Sequence, residues 1–476
     1  MGTHVEHPSI FGRLRVALTA GIAVALALIP LAVAAPASAQ TASESGVAGV
    51  LPDGTRYGFI RPPDWNGTLL LDPDFMGFVG GSVPPTPTGA NRWLLDAGYA
   101  IGGTSRLPTL DRVQSSVAAL LSAADLFTEE FGAPRRTVVT GSSLGGFTAR
   151  AAVEAAPERV DGTVAFCGGG AGVVAGWNQK LDAAFVAKTL LADGDDGLEL
   201  VGIGNANAAT AAWNALVEEA ASTPEGRARL ALAAAVGQMA TFADPAMPQP
   251  EARDFDLQLE HQIATFQLFV RPSIRATIES VAGGNISWNH GVDYRQALAR
   301  SGGRPLVDRV YRAAGLDLNA DLDVLAEAPR VAADPDAVAW AEDNVAYTGD
   351  TGGRPVLTLH TAGDRSESTA FDDAYAQAFR AAGANALLRQ AWVERAGHCS
   401  FTQAERLAAV LTLVERIETG RWAAAASPSG LNDLAARLDA GSPLDLGTAA
   451  FFRPAPQQFL RPWDGRHIGG YVPWVN

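Results

Sequence analysis

The sequence of 476 residues contains very few lysines, and its charge balance excludes two classes of partner. Only Lys180 and Lys188 among its 36 basic residues are lysines, and 51 acidic residues leave a formal net charge of −15. A chain with this charge lacks the basic surface that binds nucleic acid or an anionic membrane. We therefore expect neither partner. Hydrophobic residues make up 47% of the chain, which excludes global disorder.

Motifs that bind metals or cofactors are missing as well. There is no H-E-x-x-H segment and no paired-cysteine pattern, the usual signatures of a zinc site. A loose dinucleotide fingerprint, Gly170-x-Gly172-x-x-Ala175, has no acidic residue at the expected distance in a clear second strand. We expect no metal and no cofactor.

One apolar run, close to the N-terminus, is nearly long enough to span a membrane. Arg13 and Arg15 precede it, it extends over residues 16–35, and the small residues Ala37-Ser38-Ala39 follow. This order is typical of a secretory signal peptide over residues 1–39, cleaved after Ala39. A retained membrane anchor is the alternative, but Pro30 and the small-residue site favour cleavage. We therefore expect an exported protein with no stable membrane association after cleavage.

Cysteine is as scarce as lysine, with only Cys167 and Cys399 present. In an exported protein, an even pair of cysteines suggests one disulfide. Two buried free thiols are the alternative.

Strand-like and helix-like segments divide the mature chain into four regions. After a small polar lead-in at 40–47, which we expect to be disordered, strands and helices alternate over residues 48–175. Residues 176–345 are almost wholly helix-like, and the alternation resumes over 346–419. Such alternation is typical of an α/β protein with a mostly parallel sheet flanked by helices. The helical block is predicted to be a cap inserted into this core, and the aromatic-rich tail at 420–476 is predicted to pack back on it.

The segment "TVVTGSSLGGFTAR" at residues 137–150 carries the strongest chemical signal. Gly141-Ser142-Ser143-Leu144-Gly145 fits G-x-S-x-G, with a β-branched strand before it and a helix-like stretch after it. This context is that of a nucleophile elbow, in which the central serine sits on a sharp strand-to-helix turn. Ser143 is the predicted nucleophile. A glycine-rich connector without catalytic function is the alternative.

A serine needs a base to remove its proton and an acid to orient that base. Asp364 comes just after the strand-like "VLTLH", and His398 comes just after the next strand, which gives the order Ser, Asp, His. These two are the predicted acid and base. Asp350 and Asp373 compete for the role of acid, but they lie before the strand and inside a helix. His261, His290, His360 and His467 are interpreted as packed or surface histidines.

The order of Ser143, Asp364 and His398, each after its own strand, resembles the α/β-hydrolase family, whose members commonly carry a helical cap at this place. The dipeptide His398-Cys399 is similar to that of tannases and feruloyl esterases, in which the partner cysteine directly precedes the serine. Here that position is Ser142. The resemblance therefore implies a Cys167–Cys399 disulfide that fixes the loop of the base.

The oxyanion of an acyl-transfer reaction is usually bound by two backbone N–H groups. One is predicted at Leu144, directly after the nucleophile. The second is predicted in the loop after "GTLLLD", where Pro73 has no N–H to give. Asp74 and Phe75 are then the alternatives, and Phe75 is preferred.

These residues predict an exported serine hydrolase that cleaves carboxylic esters through an acyl-enzyme. Its expected substrate is a small-molecule or polymer-derived ester. A peptidase with the same machinery is the second hypothesis, and a non-catalytic secreted binding protein is the third.

Overall fold

The computed structural model describes residues 43–77, 82–105, 113–192, 198–344, 347–455 and 457–461. The predicted signal peptide over residues 1–39 lies outside these ranges, as do His467 and the tail aromatics Trp463, Tyr471 and Trp474. Among the described helices, none has the length and apolar character needed to cross a membrane.

A single sheet forms the centre of the described chain. Its nine strands are β1 Ser45–Val50, β2 Arg56–Arg61, β3 Thr68–Asp72, β4 Ala100–Thr104, β5 Arg136–Ser142, β6 Gly162–Phe166, β7 Val356–Gly363, β8 Leu388–Ala396 and β9 Phe451–Phe452. They are arranged in the order β1-β2-β4-β3-β5-β6-β7-β8-β9. The six strands from β4 to β8 run parallel, while β1, β2 and β9 pair antiparallel with their neighbours. This mostly parallel arrangement is the predicted α/β-hydrolase fold.

Helices cover both faces of the sheet and also form a separate group. Their bounds are α1 Gly89–Asp96, α2 Val113–Phe131, α3 Leu144–Ala155, α4 Gly172–Leu191, α5 Ala206–Ala221, α6 Pro224–Val236, α7 Phe255–Val270, α8 Pro272–Ala282, α9 Tyr294–Arg300, α10 Arg304–Ala314, α11 Leu318–Glu327, α12 Pro335–Asn344, α13 Ala370–Ala381, α14 Gln403–Thr419 and α15 Pro428–Ala440. Apolar residues of α1, α14 and α15 pack on one face of the sheet, and those of α2, α3 and α13 pack on the other.

The helices that the structure describes between β6 and β7 are α4 to α12, and this stretch is where the sequence predicts a cap. Helices α8 and α12 pack with the start of α4 in a small apolar cluster. The other described helices of this group share a larger hydrophobic core with α4, to which Trp213, Phe266 and Tyr311 contribute buried rings. The alanine-rich helix α6 lies in its centre, because small side chains allow its neighbours to approach closely. Helix α4 begins at Gly172, four residues before the predicted start of the cap at 176.

The expectation of a disordered lead-in over residues 40–47 is wrong for its last three residues. Strand β1 begins at Ser45 and pairs antiparallel with β2 along its whole length. The residues of β1 are small and mostly half-buried or exposed, so the sequence carries little strand signal of its own. Hydrogen bonds to β2 supply the order that local propensity lacks.

The C-terminal segment of the described chain contacts both the sheet layer and the cap. Strand β9 pairs with the edge of β8. Further on, the buried ring of Phe459 packs edge-on against Phe371 of α13, with 5.5 Å between ring centroids. Arg461 lies 2.7 Å from the buried carboxylate of Asp182 on α4. Residues 457–461 therefore connect a helix of the core to a helix of the cap.

Replacing Phe459 should test how much this segment stabilises the fold. Phe459→Ala removes a ring that is 1% exposed, and we expect it to lower the free energy of unfolding by about 3–5 kcal/mol because it leaves a cavity. The midpoint of urea unfolding measures this. The control Gln458→Ala changes an exposed neighbouring side chain and should shift stability by less than about 0.5 kcal/mol. Equal midpoints for the two variants would contradict the packing role.

Candidate active site

Ser143 occupies a sharp turn between β5 and α3. Its backbone has φ 57° and ψ −120°, a left-handed conformation that is strained for any residue other than glycine. The turn is this tight because Gly141 and Gly145 are in contact: a Cβ on Gly141 would lie 2.1 Å from the carbonyl oxygen of Gly145. Strand and helix can therefore meet only with glycine at position 141, and the serine between them is held at the carboxyl edge of the sheet.

Three side chains from distant parts of the sequence form one hydrogen-bonded line at this turn. The hydroxyl of Ser143 lies 2.8 Å from Nε2 of His398. Nδ1 of the same ring lies 2.7 and 3.0 Å from the two carboxylate oxygens of Asp364. With Asp364 ionised, Nδ1–H donates to the carboxylate and Nε2 accepts from the serine hydroxyl. This is the geometry in which an imidazole can take the proton of a serine.

The carboxylate of Asp364 is buried and strongly hydrogen-bonded. One of its oxygens also accepts from the backbone N–H groups of Ser366 and Glu367, at 2.7 and 3.0 Å. Burial by itself would raise the pKa of Asp364, but the charge of His398 and the hydrogen bonds from His360 and His398 outweigh it. The pKa of Asp364 is therefore held well below its ordinary value, and the group stays ionised where it faces His398.

His360, which the sequence analysis set aside, also contacts Asp364. It lies within β7, is 1% exposed, and its Nε2 is 3.2 Å from Oδ2 of Asp364. Its other ring nitrogen is 2.9 Å from Oδ2 of Asp372 on α13. The sequence contained no clear signal for the first contact, because β7 ends at Gly363 and its register shifts between Thr361 and Gly363, so strand alternation does not relate His360 to Asp364.

The N-terminus of α3 offers one free backbone donor beside Ser143. Within the described chain, the N–H of Leu144 has no acceptor. The loop after β3 faces this end of the helix, since a Cβ on Gly145 would lie 2.9 Å from the Asp74 carboxylate. However, the N–H of Phe75 donates to the carbonyl of Asp72 at 3.2 Å, and that of Asp74 donates to the Asp72 side chain at 2.8 Å. To bind an oxyanion, Phe75 would first have to leave this turn.

The two cysteines form the disulfide that the resemblance implies. Cys167 directly follows β6 and Cys399 directly follows His398, and their Cα atoms are 5.3 Å apart. Both residues have left-handed backbone conformations, with φ 43° and 57°. The bridge therefore joins the loop of His398 to the strand next to β5.

A second contact, which the sequence did not predict, holds the other side of the turn. Nη1 of Arg406 on α14 donates to the hydroxyl of Ser142 at 2.9 Å. The guanidinium also stacks on the rings of Phe166 and Phe401, at 4.9 and 5.4 Å from their centroids. A charged hydrogen bond from Arg406 thus fixes the side chain of Ser142, next to the strained turn.

The competing acids and histidines lie away from Ser143 or are engaged elsewhere. Asp350 accepts from Gly352 in a turn before β7, and Asp373 accepts from the backbone of Phe459. His261 is buried in the cap, where its ring nitrogens contact the backbone of neighbouring cap residues. His290 lies in a cap loop near α9.

The described residues offer one cluster of metal-type ligands, made of His398, Cys167 and Cys399. Both sulfurs belong to the disulfide, and a metal requires a thiolate. The cluster is therefore not suited to bind an ion.

Comparison with known proteins gives one relative over most of the chain. No protein-family model matches. An o-phthalyl amidase of Xanthobacter agilis is 30% identical over 441 residues, which cover 86% of this chain and 95% of the amidase. Among solved structures, feruloyl esterase B of Aspergillus oryzae matches with a TM-score of 0.38 and 14% identity, over 79% of this chain and 81% of the esterase. Another A. oryzae esterase has a TM-score of 0.38 and 13% identity, with 79% of each chain covered.

The disulfide should stabilise the protein measurably. It closes a loop between positions 232 residues apart, and we expect the double variant Cys167→Ala/Cys399→Ala to lose about 2–5 kcal/mol of unfolding free energy. Chemical denaturation measures the loss. Mass spectrometry without reductant should find a peptide pair linked through these two residues. Two thiols that alkylate before reduction would contradict the bridge.

Proposed function

The chain belongs to the family of the Xanthobacter agilis o-phthalyl amidase, and on that premise we propose that this hydrolase is an exported serine enzyme that cleaves acyl derivatives through an acyl-enzyme. Ser143 is the proposed nucleophile, His398 the general base and acid, and Asp364 the residue that orients His398. The observation that carries the proposal is the hydrogen-bonded line of these three side chains, which ends at a strained turn.

In the first step, the proposed nucleophile attacks the acyl carbon of the bound substrate. As the bond from Ser143 Oγ forms, Nε2 of His398 takes the hydroxyl proton and the ring becomes an imidazolium. The ionised Asp364 stabilises that positive charge through its bond to Nδ1–H. The carbonyl electron pair moves to the oxygen, and the N–H of Leu144, at the positive end of α3, is placed to bind it.

We propose that the second oxyanion donor lies on the loop after β3. Phe75 is the proposed donor, and it requires that substrate binding replace the bond from its N–H to Asp72. Such a change of hydrogen-bond partner on substrate binding is reasonable, because hydrogen bonds of catalytic sites often tighten only once substrate is bound.

The tetrahedral intermediate then collapses and the leaving group departs. His398 returns its proton to the leaving amine or alcohol as the bond to the acyl carbon breaks, which leaves the acyl group on Ser143. Water, deprotonated by the same ring, attacks the acyl carbon of the acyl-enzyme. As the bond from this carbon to Ser143 Oγ breaks, His398 returns the proton to Oγ and the acid is released. Each cycle thus consumes one water and regenerates the serine hydroxyl.

For the substrate we propose amides of o-phthalic acid as the first class, because the relative that covers most of the chain is named for that activity. Carboxylic esters are the second class, and they are favoured by the dipeptide His398-Cys399, which is similar to that of tannases and feruloyl esterases. A peptidase is the third class, and a free acidic group in the cap that binds a peptide amine would support it. Glu367, beside the site, lies 3.6 Å from Lys180 and 3.9 Å from Arg271. Because these two cations already compensate its charge, Glu367 is not a free acid that could bind the amine of a peptide.

Export is proposed on two grounds, the signal-peptide pattern of residues 1–39 and the disulfide. Disulfides persist in oxidising compartments and are rare in the cytosol. With its net negative charge, the mature protein is proposed to act on small-molecule or polymer-derived substrates, without a nucleic-acid partner and without stable membrane association.

Labelling with a fluorophosphonate probe tests the nucleophile directly. The unmodified protein should be labelled, and Ser143→Ala should lose both labelling and about 10⁴-fold or more of its turnover. Ser142→Ala is the matched control, because it removes the adjacent hydroxyl and its hydrogen bond from Arg406 but leaves the hydroxyl of Ser143. It should therefore still be labelled, at a lower rate than the parent protein. Equal labelling of the parent protein and Ser143→Ala would remove the assignment.

A substrate panel tests the proposed class. It should contain an N-substituted phthalamic acid, the matching benzamide without the ortho carboxylate, a hydroxycinnamoyl ester, a short-acyl ester and an aminoacyl anilide. We expect the phthalamic acid to give the highest kcat/KM, by about tenfold or more over the benzamide, since a carboxylate recognised by the site contributes about 1.4 kcal/mol or more. Preference for the aminoacyl anilide would indicate a peptidase, and turnover of none would overturn the proposal.

A further inference from the structure

His360 is a buried ionisable group that the proposed reaction does not use. It lies in the middle of β7, in register with Trp392 on β8. Both of its ring nitrogens face carboxylate oxygens, those of Asp364 at 3.2 Å and of Asp372 at 2.9 Å. The three side chains are each about 2% exposed or less, so water does not compete for these contacts.

This geometry favours a ring that carries two protons. A neutral imidazole has one N–H and one lone pair, and here the lone pair would point at a carboxylate oxygen whichever tautomer formed. Burial by itself would lower the pKa of His360, but the charge of Asp372 and the hydrogen bonds to both carboxylates raise it to about 10. The residue is therefore an imidazolium at neutral pH.

Asp372 is fixed on its other side by strand β8. Nε1–H of Trp392 donates to the same oxygen, Oδ2 of Asp372, at 2.9 Å. The side-chain amide of Gln390 donates to the backbone carbonyl of Asp372 at 2.8 Å. The first turn of α13 is thus tied to β8, and the carboxylate of Asp372 is directed at His360.

The other charged groups around Asp364 are few. His398 faces it from the loop after β8, and Lys180 of the cap acts on it through its charge. Lys180 itself donates to the carbonyl of Ser366 and lies 3.6 Å from Glu367, so it does not contact Asp364 directly. His360, on the strand that precedes Asp364, does contact it.

We propose that His360 is a positioning residue: as an imidazolium fixed by Asp372, it holds the carboxylate of Asp364 ionised and turned toward His398. This inference rests on the proposed function, because it assigns a role within the same reaction. Without the imidazolium of His360, the buried Asp364 loses both a compensating charge and the hydrogen bond from His360 to its Oδ2. The alignment of His398 with Ser143 would then loosen.

The kinetic test uses two variants and a matched control. His360→Gln keeps a donor without the charge, and Asp372→Asn removes the group that keeps the ring charged. We expect each to lower kcat by about 10²-fold, the loss that follows from small misplacements of catalytic groups, with KM nearly unchanged. The control Thr358→Val changes a buried residue on the same face of β7 whose hydroxyl has no partner in the described chain, and its kcat should stay at the parent value.

A spectroscopic readout separates this role from a purely structural one. Ring-nitrogen NMR of the parent protein should detect one histidine that is doubly protonated at about pH 8, above the ordinary pKa of about 6.5, and that loses its proton only near pH 10. This signal should disappear in His360→Gln. In Asp372→Asn, the ring nitrogens of His360 should instead show the signals of a neutral imidazole at pH 8. If His360→Gln does not fold, Asp372→Asn alone gives both readouts.

The outcomes distinguish failure of the inference from failure of the proposed function. A neutral His360 at pH 8, or a folded Asp372→Asn with the kcat of the parent, would overturn the positioning role. If instead Ser143→Ala keeps full turnover, the proposed function fails, and the NMR signal still decides whether His360 is charged.

Discussion

The close contact between Gly141 and Gly145 is the constraint on which the rest of the site depends. It forces the chain to reverse within one residue, and Ser143 takes a backbone conformation that is estimated to cost about 1–3 kcal/mol. Such strain persists only if the surroundings hold it. Here the surroundings are the parallel strands on both sides of β5 and the helix α3 that begins at the next residue.

The rest of the site consists of three loops that meet at this turn: the loop after β3, the loop of Asp364 after β7 and the loop of His398 after β8. Each loop follows a parallel strand, so the sheet places all three at the same edge. Finer alignment comes from cross-links between the loops. The disulfide holds the loop of His398 against β6, Arg406 holds Ser142, and His360 holds Asp364. Each of the three hydrogen-bonded side chains is thus held by a contact next to it: Ser143 by the bond at Ser142, His398 by the disulfide at Cys399, and Asp364 by His360.

Much of the fold could be predicted from the sequence, because long periodic segments determine element type. The alternation of strands and helices, the helical block between β6 and β7 and the positions of β7, β8 and α14 all follow from local patterns. Strand β1 could not be predicted in this way, since its small residues have little strand propensity and its order comes from β2. The interpretation of His360 as a packed histidine agrees with its burial but did not include its contacts with Asp364 and Asp372, because a burial pattern does not reveal which charges meet in the interior.

The sequence by itself determined the chemistry available to this protein: a serine in a glycine-bounded turn, an acid and a histidine after later strands, and one pair of cysteines. These are properties of residue type, order and spacing, which are local. Only the tertiary structure decided which of these groups are within hydrogen-bond distance, that the N–H of Phe75 is bound to Asp72, and that Asp364 is shared between two histidines. The bonds of His398 to Ser143 and Asp364 join residues far apart in the chain, so they exist only once the sheet has formed. The contacts of Asp72 with Phe75 and of Asp364 with His360 are short in sequence, but residue type and spacing do not show which atoms meet.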